Sequence, residues 1–316
     1  MKRALLVGLD KYDHFRPLAG CCNDVNALAS LLRRNEDENG NFSCETLTSD
    51  LTQVTREVLR RDLERLLAPA ADIALLYFAG HGHPVPNDVV LCTTDGTDGF
   101  PGMPLSTILT MVGRSPVPEV VILLDCCFSG AAGGVPQLGS SAATIRTGLS
   151  IVTAARADQP AAEVAGRGLF ARYLEDALRG GAADLLGKVT VAGVYAFLSD
   201  MFGPWDQRPT FKANIDRLHE LRQTSPDFTP RQLRALVTLF PTPTHELPLD
   251  PSYEPDANPH NEQHERDFGL LQAARAVKLV EPVGEVHMYY AAIRSTACRL
   301  TKLGQHYWQL VDKERL

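Results

Sequence analysis

The chain contains VVILLDCCFSG at residues 120–130 and IALLYFAGHGH at residues 73–83. Each stretch is a short, continuous apolar run that ends abruptly in a polar turn with glycine. Runs of this kind are typical of strands that are buried on both faces of a parallel sheet. Since the carboxyl ends of such strands border the crevice of an open α/β sheet, we expect His81 and Cys127 to lie at the same edge. A thiol beside an imidazole is the minimum arrangement for a cysteine nucleophile.

Helical patterns alternate with strand patterns around these two runs. CCNDVNALASLLRR and TQVTREVLRRDLERLLAP carry apolar residues at helical spacing, while ALLVGLD, VVLCTTD and VPEVVILLD have the composition of strands. The resulting order is β-α-α-β-β-α-β. We therefore predict an α/β fold with a mostly parallel sheet that is flanked by helices on both faces.

A small C-terminal α+β domain is predicted to follow the sheet domain. We place the sheet domain at residues 1–217, a helix and a linker rich in proline and acids at 218–260, and the small domain at 261–316. In the small domain, EVHMYYAAIR is predicted to be a strand between two helices. This order is compatible with a winged-helix-like module.

Composition describes an ordinary globular protein. The 316 residues include 44% hydrophobic and 22% charged residues, and the net charge of −7 supplies no basic footprint for nucleic acid. No apolar run approaches the ~18 residues of a membrane span, and the run in MKRALLVGLDKYDH is too short for a signal peptide. We therefore expect a cytoplasmic protein that binds neither membrane nor nucleic acid. The seven cysteines include two adjacent pairs, which suit free thiols better than disulfides.

The turns after the two buried runs supply the candidate chemistry. His81 is the candidate base for the Cys127 thiol, which is only slightly ionised near its ordinary pKa. Backbone N–H groups of Gly82, Ser129 and Gly130 are candidates to face an oxyanion. The alternative is two core strands that end in unremarkable turns, with packed thiols and a solvated histidine.

YFAGHGH followed by LLDCCFSG resembles the metacaspase and prokaryotic caspase-like branch of the cysteine endopeptidases that include the caspases. LAGCCNDVNALASLL resembles the G-C-x-N-D-V-x-x-L segment of that family, so the likeness spans roughly residues 1–216. The resemblance implies a cysteine endopeptidase in which His81 is the general base and Cys127 is the nucleophile. It leaves Cys126 a packing role, and side chains of adjacent residues in a strand do point to opposite faces.

Two acids suggest which substrates such an enzyme would cleave. Asp125 stands two residues before Cys127, so we expect both side chains on the same side of the strand. A carboxylate there favours a substrate with a basic P1 side chain, and it favours arginine over lysine. Caspases that cleave after aspartate carry Q-A-C where this chain has D-C-C. The resemblance implies that Asp24 is a second acid of the S1 pocket. The alternatives are a helix N-cap for Asp24 and a turn-forming role for Asp125. Ala79 stands where metacaspases often have serine, so one polar contact to the substrate is expected to be absent.

Residues 131–148 are small, polar and rich in glycine, and we predict a mobile surface loop there. Many relatives are cut in this loop during activation, and Arg146 is the arginine it contains. We therefore predict processing at Arg146; the alternative is an ordinary surface arginine.

The chemistry of a cysteine peptidase requires no cofactor. Calcium dependence occurs in metacaspases, but Asp95 and Asp98 in D-G-T-D carry too little charge for a good site. The expected partners are protein substrates and an upstream protease or a regulator that binds the C-terminal domain. Two other functions stay open: a catalytically silent caspase-like binding protein, and a thiol hydrolase of small molecules. A role in cell death or antiviral defence in bacteria rests on family analogy alone.

Overall fold

The computed structural model of the chain describes residues 1–126, 146–154, 163–164, 166–202, 209–216, 218–257 and 261–316. The chain forms two compact units. The first comprises Met1–Asp184 with Lys188–Ser225, and the second comprises Leu185–Gly187 with Pro226–Leu316.

The first unit contains thirteen strands and five α-helices among its described residues. The strands are β1 (Lys2–Gly8), β2 (Phe42–Thr48), β3 (Ile73–Gly80), β4 (Gly82–Val85), β5 (Asp88–Thr97), β6 (Phe100–Pro104), β7 (Glu119–Cys126), β8 (Leu149–Thr153), β9 (Glu163–Val164), β10 (Arg167–Gly168), β11 (Lys188–Thr190), β12 (Thr210–Asn214) and β13 (Glu220–Gln223). The helices are α1 (Cys21–Arg33), α2 (Arg56–Leu66), α3 (Leu105–Arg114), α4 (Leu169–Asp176), which continues into a π-helical turn (Ala177–Gly181), and α5 (Val191–Met201).

Six strands of the first unit form its central sheet, in the order β12-β8-β7-β3-β1-β2. All neighbours are parallel except β12, which pairs antiparallel with β8 at one edge. Every residue of β3 and β7 is buried, as expected for central strands covered on both faces.

Helices cover both faces of this sheet. Helices α1, α4 and α5 pack on one face, and α2 and α3 pack on the other. Helix α1 shows why: Val25, Leu28, Ala29 and Leu32 are all buried, and this spacing places them on one side of a helix. The predicted α/β fold, a mostly parallel sheet with helices on both faces, is confirmed.

Several strands of this unit were not expected from the sequence, and β2 and β4 show why. FSCETLT forms β2, an edge strand whose middle residues are partly exposed, so it lacks the continuous apolar run that marks a central strand. HPVPN has two prolines and no apolar run, yet it contributes to an antiparallel hairpin in which β4 pairs with β5. Short and half-exposed strands give a weak hydrophobic signal, because side-chain burial alone does not specify them.

The second unit is an α+β domain with its own hydrophobic core. Its elements are α6 (Pro230–Thr238), β14 (Glu246–Pro248), a 3₁₀ turn (Pro251–Tyr253), α7 (Glu262–Ala276), β15 (Val280–Val283), α8 (Met288–Ile293), β16 (Ala297–Leu300) and α9 (Lys302–Asp312). The three strands form an antiparallel sheet in the order β14-β16-β15.

Two expectations about the C-terminal region differ from the structure. The strand predicted for EVHMYYAAIR is wrong, because these residues contain helix α8, in which Met288, Ala291 and Ala292 are buried at helical spacing. The described residues 218–257 do not form a separate linker, because they are divided between the two units. Strand β13 pairs with β11 in the first unit, whereas α6 and β14 belong to the second unit.

The described helices include no candidate for a membrane span. None of them combines the length and the apolarity that crossing a bilayer requires.

Candidate active site

The carboxyl ends of β3 and β7 lie side by side at one edge of the sheet. The strands are parallel neighbours, and Gly80 is paired with Cys126. His81 therefore follows directly after one member of this pair, and Cys127 follows directly after the other. Cys127, Ser129 and Gly130 lie outside the described residues, as does the loop 131–145.

His81 is held by the loop that follows β1. Its backbone N–H donates to the hydroxyl of Tyr12 at 2.9 Å, and its imidazole Nε2 lies 2.7 Å from the carbonyl oxygen of Arg16. The imidazole centroid is 4.9 Å from the ring of Tyr12 and 6.2 Å from that of Phe15. A carbonyl only accepts hydrogen bonds, so Nε2 carries the proton and Nδ1 keeps its lone pair. This tautomer, assigned from the hydrogen bond, suits a general base that works through Nδ1.

Backbone contacts hold this loop against the sheet edge. Leu9 N–H donates to Ala79 at 3.0 Å, and Asp13 N–H donates to Thr94 at 2.9 Å. The close approach of the loop requires glycine at position 80, because a methyl group there would lie 2.6 Å from the hydroxyl of Tyr12. Burial raises the pKa of Tyr12 well above its usual value, so the phenol stays protonated.

Asp10, at the end of β1, caps helix α1. Its Oδ1 accepts from the N–H groups of Gly20 at 3.0 Å and Cys21 at 2.9 Å, and its Oδ2 accepts from Cys22 at 3.1 Å. Gly20 is the N-cap residue, and Asp24 lies inside the first turn. The N-cap role considered for Asp24 is therefore wrong, because Asp10 satisfies the helix terminus instead.

Asp24 is buried and is engaged by the chain itself. Only 1% of the residue is exposed. Its Oδ1 accepts from Nε of Arg167 at 2.7 Å, and its Oδ2 accepts from the N–H of Gly168 at 3.0 Å. Burial raises the pKa of Asp24, although the hydrogen bonds from Arg167 and Gly168 act in the opposite direction.

Asp125 borders the same space as Asp24. It is 8% exposed near the end of β7, and its Oδ2 accepts from the hydroxyl of Tyr77 at 3.0 Å. A methyl group on Gly168 would lie 3.0 Å from Oδ2 of Asp125 and 3.2 Å from Oδ2 of Asp24. The structure thus brings together two acids that are about 100 residues apart in the chain.

Cys126 points away from the acids. It is 1% exposed and belongs to the core layer beneath helices α2 and α3. This is the packing position expected for the first cysteine of the pair, because side chains alternate between the two faces of a strand.

Gly82 and Arg146 are the remaining described candidates. Gly82 begins β4 and is paired with Leu91 of β5. The guanidinium of Arg146 is bound by backbone carbonyls at the end of α3 and before β7, instead of projecting freely from a surface loop. It donates to Val112 at 2.9 Å, Ser115 at 2.8 Å, Pro118 at 3.1 Å and also to Val117, while its Nε donates to Thr147 at 3.1 Å. Partial burial lowers the pKa of Arg146.

Several residues around the site were missed by the sequence analysis. They are Asp10, Tyr12, Arg16, Tyr77 and Arg167. Asp10 had a detectable signal, since it ends a buried strand and precedes a helix. Arg16 acts through its backbone oxygen and Tyr77 lies within an apolar run, so neither side chain stood out in the sequence.

The described residues offer no metal centre. Among them, no group of three or more histidine, cysteine, aspartate or glutamate side chains is placed to hold a metal ion. Asp95 and Asp98, considered for calcium, are both exposed.

Residues 1–217 match a family model described as the caspase domain. Metacaspase-7 of Arabidopsis thaliana is 29% identical over 160 residues, covering 45% of this chain and 39% of that protein. The chain thus spans about two fifths of the length of this curated relative. The solved structure of protein GSU0716 from Geobacter sulfurreducens covers 72% of this chain and 98% of its own, with a TM-score of 0.50 and 18% identity, which shows a shared fold. Caspase-1 from Spodoptera frugiperda covers 71% of this chain and 90% of its own, with a TM-score of 0.48 and 14% identity.

Proposed function

Because the chain belongs to the caspase-domain family, we propose that it is a cysteine endopeptidase that cleaves proteins after basic residues, preferring arginine. The observation that carries the specificity is the pair of buried acids, Asp24 and Asp125, which border one space beside Gly168. A buried carboxylate favours a cationic partner, and the planar fork of arginine matches it better than a lysine ammonium does.

The proposed mechanism is acyl transfer through a thioester. Nδ1 of His81 takes the proton of the Cys127 thiol, and the sulfur attacks the carbonyl carbon of the scissile bond. The tetrahedral intermediate collapses as the carbon–nitrogen bond breaks, and the amine leaves with the proton from His81. Water, deprotonated by His81, then attacks the thioester; the carbon–sulfur bond breaks, releasing the acid, and Cys127 is regenerated. Backbone N–H groups at Gly82 and at the turn with Ser129 and Gly130 are the proposed oxyanion donors.

The bond from His81 Nε2 to the Arg16 carbonyl supports this role. It orients the imidazole and stabilises the imidazolium that forms when the thiol gives up its proton. A backbone acceptor serves this purpose whatever side chain stands at position 16. The exposed Arg16 side chain is therefore expected to be replaceable by alanine without loss of activity.

Fluorogenic peptides with arginine, lysine or aspartate at P1 test the proposal. We expect cleavage in the order arginine, lysine, aspartate, and complete loss of turnover in Cys127→Ala. Asp125→Asn should lower kcat/KM for the arginine peptide by about tenfold or more, because a charge-assisted contact is lost. The matched control is Asp95→Asn, which removes an exposed acid elsewhere.

Three outcomes would contradict parts of this proposal. Arginine cleavage that is unchanged in Asp125→Asn would reject the pocket assignment. Failure of the wild-type protein to cleave any peptide would favour a catalytically silent binding protein. Turnover of small esters or thioesters without peptide cleavage would favour a small-molecule hydrolase.

We also propose that the enzyme is activated by cleavage in the loop 131–148, at Arg146. The support is the position of this arginine in the segment that follows Cys127. Its guanidinium must leave its carbonyl partners before it can enter an active site, so we expect cleavage there to be slower than cleavage of an exposed arginyl peptide. Intact masses of active wild-type protein and of Cys127→Ala test this. An uncut loop in both preparations would reject processing.

A further inference from the structure

Asp24 and Asp125 together form what we call the acidic site. This site already holds an arginine of the chain itself. Arg167, in the short strand β10, donates from Nε to Oδ1 of Asp24 at 2.7 Å. The backbone passes so close to the start of α1 that a methyl group on Gly20 would lie 3.1 Å from the Cα atom of Arg167. A guanidinium therefore lies on the carboxylate that the proposed function assigns to the basic side chain of a substrate.

Apart from Asp24, the guanidinium of Arg167 has one hydrogen-bonded and one unbonded terminal nitrogen among the described residues. Nη1 donates to Oε2 of Glu175 at 2.7 Å, whereas Nη2 is buried and has no hydrogen-bond partner among the described residues. Burial disfavours the charged form of Glu175, but hydrogen bonds from Arg179 and Arg167 lower its pKa, so it stays a carboxylate. Glu175 also accepts from Arg179 at 2.7 Å, so it keeps a cationic partner if Arg167 leaves.

Arg167 also has a route out of the site. Its side chain is 26% exposed, while that of Asp24 is 2% exposed. The N–H of Gly168 bonds Oδ2 of Asp24 independently of the arginine side chain. Rotation of the Arg167 side chain toward solvent would leave Asp24 with one backbone donor and a vacant place for another cation. A buried carboxylate that loses its ion pair gains strongly from a new cationic partner.

We propose that Arg167 is an internal competitor at the acidic site, whose guanidinium competes with the basic side chain of the substrate for Asp24. This inference rests on the proposed function, since it concerns the same site. A substrate can place its basic side chain on Asp24 only when the guanidinium of Arg167 has left that carboxylate. A substrate arginine supplies an equivalent planar fork, whereas a lysine supplies a single strongly hydrated ammonium and competes less well. Arg167 thereby raises KM for both kinds of basic substrate, and the preference for arginine over lysine is left to the carboxylates.

The expected size of the effect follows from the occupancy of the site. If the internal guanidinium occupies the site in about nine molecules of ten, the apparent affinity for substrate is about tenfold weaker than the intrinsic one. Arg167→Gln should therefore lower KM for an arginine peptide by about tenfold, with kcat nearly unchanged. KM for the lysine peptide should fall by the same factor, because an internal competitor weakens the apparent binding of every ligand of the site equally, so the ratio of kcat/KM values for arginine and lysine should stay unchanged.

The experiment compares steady-state kinetics of the full chain carrying Arg167→Gln, Glu175→Gln or Arg172→Gln. Glu175→Gln weakens the hold on Arg167 without altering the carboxylate of Asp24, so it should lower KM in the same direction by a smaller factor. It also serves as the test variant if Arg167→Gln fails to fold. Arg172→Gln is the matched control, because Arg172 is an exposed arginine of α4, and its kinetics should equal those of wild type.

A folded Arg167→Gln protein with unchanged KM values for both peptides would overturn the inference and leave Arg167 a structural ion pair. If the wild-type protein cleaves no basic peptide, the proposed function fails, and calorimetric binding of methylguanidine then tests Arg167 separately. Tighter methylguanidine binding by Arg167→Gln than by wild type or Arg172→Gln would support competition at Asp24. Equal binding by all three proteins would reject it.

Discussion

The hydroxyl of Tyr77 donates a 3.0 Å hydrogen bond to Oδ2 of Asp125 where both residues are buried between the sheet and its helices. Burial raises the pKa of Tyr77 well above its usual value, and the charge of Asp125 raises it further. The phenol is therefore a permanent donor at neutral pH. It helps to fix the orientation of the Asp125 carboxylate, which the proposed function places in the S1 site.

Tyr77→Phe is expected to destabilise the protein by about 1–3 kcal/mol, because a buried carboxylate oxygen loses a donor. The same change should raise KM for arginine peptides, since Asp125 is less well oriented. Urea denaturation and steady-state kinetics measure the two effects. Tyr289→Phe is the control: Tyr289 is 50% exposed, and its replacement should change stability by less than about 0.5 kcal/mol. Equal stability of the two variants would contradict the role of this hydrogen bond.

Gly80→Ala is expected to disturb His81 through Tyr12. The added methyl group would meet the Tyr12 hydroxyl at 2.6 Å, and this hydroxyl accepts the N–H of His81. Since Tyr12→Phe removes the clashing oxygen, the alanine should cost less stability in that background, with a coupling energy of about 0.5–3 kcal/mol. Thermal unfolding of the two single variants and the double variant measures this coupling.

Gly113→Ala is the control for this cycle, because nothing lies within 4 Å of the added methyl group. Gly113 lies in helix α3, where alanine should stabilise by about 0.5–1 kcal/mol. Strictly additive effects of Gly80→Ala and Tyr12→Phe would show that the two positions do not interact as the structure indicates.

Cys127 is expected to be the first thiol that iodoacetamide alkylates near neutral pH. Burial raises the pKa of Cys21 and Cys22, and it raises the pKa of Cys44 to about 11 and those of Cys92 and Cys298 to about 12. Cys126 is 1% exposed. The five thiols with raised pKa values stay protonated well above pH 7, and only the thiolate reacts, whereas Cys126 is shielded from the reagent by its burial.

Brief labelling followed by intact-mass measurement tests this prediction. Wild-type protein should gain one adduct quickly, and Cys127→Ala should gain none in the same time. Because the pKa of Cys44 is about 11, raising the pH to about 9 should still leave it mostly unlabelled. Rapid single labelling that persists in Cys127→Ala would show that the reactive thiol lies elsewhere.

Arg146→Ala is expected to lower the free energy of unfolding by about 1–3 kcal/mol, because several backbone carbonyls lose their donor together. Arg114→Ala, at the exposed end of α3, removes the same charge without these contacts and should be nearly neutral. Chemical denaturation of both variants provides the measurement. If the two variants are equally stable, Arg146 is an ordinary surface residue, the alternative considered for it.

The central sheet was predictable because β3 and β7 are short, continuous apolar runs. Runs of this length and composition are typical of strands that are buried on both faces of a sheet. The edge strand β2 and the helix α8 were not predictable in the same way. Strand β2 is half-exposed, so it lacks a continuous apolar run. The sequence MYYAAI is as compatible with a strand as with a helix, and only the pattern of buried residues in the structure distinguishes the two.

The acidic site, too, was predictable from the sequence only in part. The sequence predicted that Asp125 faces the same side as Cys127, since side chains alternate along a strand, and the resemblance singled out Asp24. It did not reveal that Asp24 lies in an ion pair with Arg167, because the two residues are joined only by the packing of β10 across the start of α1.

Local patterns in the chain were thus sufficient for the fold class, the order of the central strands and helices, and the positions of His81 and Cys127 after neighbouring strands. Three hydrogen bonds were decided by the tertiary structure alone. They join the Arg16 carbonyl to His81, Tyr77 to Asp125 and Arg167 to Asp24. The physical reason is that hydrophobic periodicity is a local property of a sequence, whereas a hydrogen bond or ion pair depends on where distant segments meet in space.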